Sequence, residues 1–161
     1  MLQTPFGIVI VEVEPKDLME VNFHVVELKT KGRYLIEAEV RTEYVQEIRF
    51  ICRFTPIIAI ADTDIETGEW LELKSWMSGE LKMCIGTVDD SWLQQSRNVK
   101  LSAMEYLGNG LSVTIKGIRP SEPFTLPFGV AWKQIVDVEK DNFEVWVEAQ
   151  PVSIYEDLKN T

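Results

Sequence analysis

From Tyr44 to Phe54 the chain reads YVQEIRFICRF, with Tyr44, Ile48, Phe50, Cys52 and Phe54 on one parity and Glu47, Arg49 and Arg53 on the other. Side chains alternate across a strand, so this predicts a half-buried β-strand with an aromatic inner side and a charged outer side. Tyr34, Ile36, Ala38 and Val40 alternate in the same way against Arg33, Glu37, Glu39 and Arg41. Val21 to Leu28 predicts the strand before them, joined across Lys29 to Gly32, where glycine can supply a positive φ. Phe6 to Val13 is apolar on both parities, as a central strand covered on both faces would be.

Further along, Pro56 to Ala61 and Glu69 to Lys74 read as extended runs joined by a polar loop, Asp62 to Gly68. Leu81 to Val88 predicts another strand. Asp89 to Gln95 is the best helical stretch, because it opens on acidic and capping residue types. Val99 to Leu107 and Leu111 to Gly117 flank Gly108-Asn109-Gly110, a strong hairpin signal. Pro120, Pro123 and Pro127 predict an extended covering loop over 119–127, since proline cannot donate to a ladder. Val130 to Val138 and Phe143 to Ala149 predict a last hairpin turned at Lys140-Asp141-Asn142, with a fraying tail from Pro151.

About ten short strands with turn signals at regular spacing, and at most one or two short helices, define an all-β fold. The expectation is a single domain spanning 1–161, a mainly antiparallel β-sandwich or barrel. Sandwich and barrel share the same alternation, so both stay open here.

Composition narrows the function classes. The 161 residues are 45% hydrophobic and 26% charged, within the globular range. No apolar run approaches the ~20 residues of a membrane helix, and the first residues carry no basic segment of the secretory kind. Two cysteines and no targeting segment make a cytoplasmic location the expectation. A formal net charge of −10 argues against nucleic acid and anionic membrane as partners. It suits a basic protein partner.

Candidate chemistry is sparse. The single histidine, His24, sits in an apolar-flanked run and reads as a partly buried structural residue. Cys52 is predicted inward and Cys84 outward, on faces that argue against a disulfide. Asp62, Asp64 and Glu66 are the weak candidate for a metal, an irregular calcium site, although the spacing lacks the glycine and glutamate of an EF-hand. The carboxylate pairs Glu12–Glu14, Glu37–Glu39, Asp89–Asp90 and Asp137–Glu144 offer a hydrolase its acid and base, as the third reading. No phosphate loop, nucleophile elbow or dinucleotide fingerprint is present, and no cofactor is expected. Trp70, Trp76 and Trp146 stand out, each on the parity opposite to apolar neighbours and beside glutamates. Large amphipathic rings on a polar strand face serve as partner anchors or sugar platforms, unless a second layer covers them. The expected role is therefore a non-catalytic module for a protein partner or self-association, using those tryptophans. A carbohydrate- or small-ligand-binding module is the alternative.

Overall fold

The computed structural model describes residues 1–28 and 32–160. Among them the chain forms eleven strands in two antiparallel sheets and three short helices. One sheet runs β1 (Leu2–Thr4), β2 (Gly7–Glu14), β5 (Ile48–Phe54), β10 (Gly110–Lys116), β9 (Lys100–Leu107) in spatial order. The other runs β3 (Glu20–Glu27), β4 (Arg33–Arg41), β11 (Phe124–Gln134), β8 (Leu81–Thr87), β7 (Leu71–Ser78), β6 (Asp62–Gly68). The all-β sandwich is the fold. The turn expected at Lys29 to Gly32 lies mostly outside the described residues.

The alternation read from the sequence builds the core between the sheets. Ile48, Phe50, Cys52 and Phe54 of β5 are all buried there, as are Ile36, Ala38 and Val40 of β4 and Leu111, Val113 and Ile115 of β10. Gly108-Asn109 turns β9 into β10 at the expected hairpin, with Gly110 opposite Leu107. The helix α1 (Asp90–Arg97) starts where capping chemistry places it: Asp89 accepts from the Trp92 amide at 2.9 Å.

Other expectations are corrected by the fold. The strand expected over 44–54 is shorter, beginning at Ile48. Thr42 Oγ1 donates to the Tyr44 carbonyl and accepts from Gln46 Nε2, a side-chain turn that leaves Tyr44 and Val45 exposed. β2 is covered on one face only, since its even positions carry half-exposed Ile8, Ile10 and Glu12. The polar stretch 62–68 is a strand and the apolar stretch 56–61 is not, because β6 is an outermost strand whose composition follows exposure.

Pro127 lies within β11, a central strand, opposite Glu37 of β4. An antiparallel residue directs its N–H and C=O to the same neighbour. On that side Thr87 Oγ1 donates to the Pro127 carbonyl at 2.9 Å, and β8 begins pairing only at Phe128. No ladder bond requires the missing N–H.

The predicted last hairpin is helical instead. α2 (Val138–Glu148) and α3 (Pro151–Lys159) pack on the outer face of the six-stranded sheet, bringing the helices to three. Asp141, Val145 and Ala149 recur every fourth residue on the buried side of this segment.

 Those three positions share one face at helical spacing, whereas the alternation of Phe143, Val145, Val147 and Ala149 is satisfied by period two as well. Capping decides between them: Asp137 accepts from the Lys140 amide, and Asp141 accepts from the amides of Val136 and Asp137 at 2.7 and 2.8 Å.

Candidate functional site

β7 is buried on both faces, and this sorts the tryptophans. Its Leu71 and Leu73 pack outward against α2, while Trp76 points into the core between the sheets and is 0% exposed. Trp76 Nε1 donates to the Gly108 carbonyl at 2.8 Å, and Phe54 meets its ring edge-on with centroids 5.0 Å apart. The parity read from the sequence is right, but the face it marks is the core, so Trp76 is no surface anchor. Trp70 ends the β6–β7 turn at a φ of 64° and is half-buried against the same core.

Trp146 has a different setting. It lies on α2, not on a strand, and leans over the end of β6: a Cβ at Gly68 would stand 2.8 Å from its ring. Phe143 sits beside it, with centroids 5.8 Å apart, and is 63% exposed. Glu66, Asn142, Phe143 and Trp146 line a cleft of 320 Å³.

Glu66 also belongs to the acidic row of β6. Asp62, Asp64 and Glu66 stand opposite Met77, Ser75 and Leu73 of β7, on the face that α2 covers. Together with Ser75, Lys82 and Asn142 they line a cavity of 190 Å³ that adjoins the Trp146 cleft through Glu66 and Asn142. Two stretches singled out separately in the sequence, the 62–66 acidic row and Trp146, thus meet at one margin of the sandwich. Asp62 and Asp64 each accept from the following backbone amide, Thr63 and Ile65, at 2.9 Å. β6 is an outermost strand, so these bonds protect it against strand addition and leave the row to act through its charge. Burial raises the Glu66 pKa, an effect that Lys82 opposes and Asp64 reinforces.

Lys82 and Lys133 stand directly opposite each other on β8 and β11, on the α2 side. α2 neutralises Lys133, which pairs with Asp141 at 3.2 Å and with Glu144. Lys82 is 7% exposed and has no hydrogen bond or ion pair among the described residues. Asn142 Oδ1 and Trp146 Nε1 are likewise buried without partners. Sequence reasoning missed Lys82, Asn142 and Phe143, because the site depends on a helix read as a strand.

The Asp137 and Val136 amides, with Lys133, lower the Asp141 pKa from 3.8 to about 2. A depressed carboxylate contributes stability that is complete above about pH 4 and is lost as pH falls through 2. The stability advantage of the natural chain over Asp141→Asn is therefore expected to shrink between pH 5 and pH 2, as read from thermal unfolding at each pH. A constant difference over that range contradicts the role of the anion at the start of α2.

The remaining candidates fall elsewhere. His24 is exposed on β3, contrary to the expectation of partial burial. Cys52 and Cys84 are both free and buried; burial pushes the Cys84 thiol up to about 12. The outward parity of Cys84 is right, but α2 covers that face. Asp62, Asp64 and Glu66 lie along one strand, and among the described residues no three His, Cys, Asp or Glu side chains group to hold a metal. Glu12 is held by both guanidinium donors of Arg53 at 3.0 Å, and Glu37 accepts from Tyr155. A larger surface groove, 420 Å³ beside Arg97 and Arg119, contains none of the candidate tryptophans, cysteines, histidine or paired carboxylates. No helix among the described residues is long and apolar enough to cross a membrane.

Fold and margin together define a helix-covered β-sandwich with one acidic, aromatic rim. No protein-family model, curated protein or solved structure matches the chain.

Proposed function

We propose that the domain is a non-catalytic interaction module that grips a basic segment of a protein partner at the β6–α2 margin. The observation that carries this reading is the convergence of Asp62, Asp64 and Glu66 with exposed Phe143 and half-buried Trp146. Lysine or arginine side chains of the partner lie along the row, and an apolar side chain enters the cleft. A different protein suits this site better than a second copy. Four of the six arginines, Arg33, Arg41, Arg49 and Arg53, are already held by the chain's own carboxylates, and the net charge of −10 makes copies repel. A sugar platform is less well supported, since the Trp146 ring packs onto Gly68.

A labelled peptide of alternating lysine and leucine tests the reading by fluorescence anisotropy. The natural chain is expected to bind it with an affinity that falls as salt rises, and to ignore a glutamate–leucine peptide. Asp62→Lys with Asp64→Lys is expected to weaken binding by roughly tenfold or more, about 1.4 kcal/mol. Equal affinity in the charge-reversed variant overturns the proposal.

A further inference from the structure

We propose that the 190 Å³ cavity behind β6 binds a free α-amino acid with an apolar side chain. Its carboxylate meets Lys82, its ammonium meets Asp64 and Glu66, and its side chain enters the Phe143–Trp146 cleft. The proposal shares the margin with the segment site but does not rest on a protein partner.

Three observations lead to it. The first is the state of Lys82. Two lysines stand side by side on β8 and β11, and α2 supplies Asp141 and Glu144 to Lys133 alone. Lys82 is 7% exposed as a residue, and it lines the cavity with no hydrogen bond or ion pair among the described residues. Glu66 attracts the Lys82 ammonium only through space, and a ligand carboxylate within hydrogen-bond reach adds the direct partner that it lacks.

The second is the placement of opposite charge. Lys82 stands opposite Met77 on β7, and Met77 stands opposite Asp62 on β6. Neighbouring strands lie ~4.8 Å apart, so about 10 Å separates the Lys82 backbone from the acidic row. Lys82, Asp64 and Glu66 all line the cavity between. The cavity therefore presents a cation and carboxylates from opposite sides, the complement of a zwitterion.

The third is the pair of orphaned polar atoms. Asn142 Oδ1 is a buried acceptor and Trp146 Nε1–H a buried donor, and neither has a partner. They stand one helical turn apart on α2, and their residues line the cavity and the cleft that adjoins it. A small side-chain shift that uncovers them lets an ammonium donate to the first and a carboxylate accept from the second. The cleft beyond them is walled by two aromatic rings, which suits an aliphatic side chain.

Titrating the full chain with leucine, leucinamide and N-acetylleucine tests this, following amide and indole resonances by NMR. Leucine is expected to give saturable shifts at β6 and α2. Leucinamide, which lacks the carboxylate, and N-acetylleucine, which lacks the ammonium, are each expected to bind about tenfold more weakly or worse. Lys82→Met keeps the apolar stem and is expected to abolish the preference for leucine over leucinamide. The blocked ligands decide the matter on the natural chain even where that variant fails to fold. Absence of saturable shifts with leucine, or equal binding of leucine and leucinamide by the natural chain, overturns the proposal. Neither result depends on the lysine–leucine peptide, so the two readings fail separately.

Discussion

Replacing Trp76 by alanine is expected to destabilise the fold by about 4 kcal/mol, as large-to-small changes of a fully buried tryptophan do. The ring is 0% exposed and meets Phe54 edge-on in the middle of the core. Its removal opens a cavity between two sheets whose backbones are fixed by their ladders and cannot close over it. It also leaves the Gly108 carbonyl without its Nε1–H donor at the β9–β10 turn. Trp76→Phe separates the two contributions: it keeps most of the apolar volume and loses the hydrogen bond, for an expected cost of about 1–3 kcal/mol. Urea unfolding of both variants checks the pair. Were Trp76 a ligand contact on an open face, Trp76→Ala would leave the unfolding midpoint almost unchanged.

Gly129→Ala is expected to cost about 3 kcal/mol or more, although it adds a single methyl group. Gly129 of β11 and Gly86 of β8 are paired across the sheet, and both face the carbonyl of Ala149. A Cβ at Gly129 would lie 2.1 Å from that oxygen, and one at Gly86 2.6 Å from it. Both obstacles are backbone, so no side chain can rotate away. The two bare positions let the chain between α2 and α3 rest on the sheet, and thereby set the height of α2 over Glu66 and Lys82. The variant is expected to loosen both helices, seen as faster proteolysis after residue 137 and a lowered Tm. Gly108→Ala serves as the control, because nothing stands within 4 Å of its Cβ, and should change stability by less than about 0.5 kcal/mol. Equal effects at 108 and 129 would contradict the close approach.

Why the sandwich was legible and its helical cover was not follows from how each buries its residues. β4, β5 and β10 set one face in the core and mostly charged or polar residues on the other, so their period-two pattern reads clearly although α3 covers Leu35 of β4. β7 breaks that logic, because a second layer lies on each side. Glu72 and Lys74 made the Trp76 parity look solvated, yet Tyr106 donates to Glu72 and Lys74 Nζ donates to the Leu107 carbonyl at 2.7 Å. Their polar ends are satisfied at the rim of a buried face. Asp62 to Gly68 looked like a loop because an outermost strand needs no apolar face. In 138–149 the residues Val145 and Ala149 satisfy both periods, and the decisive capping bonds of Asp137 and Asp141 come from two acidic residues in a stretch crowded with them. The acidic row and Trp146 were therefore visible separately, and their meeting was not.

The central claim is that the β6–α2 margin, and not the tryptophans generally, receives the partner. The most direct test follows the indole N–H resonances of the five tryptophans during titration with the lysine–leucine peptide. The Trp146 resonance is expected to move, since its Nε1 is unpartnered beside the cleft. The Trp76 resonance is expected to stay fixed in its bond to Gly108. A peptide that binds while Trp146 stays still would place the partner elsewhere on the sandwich and contradict the account.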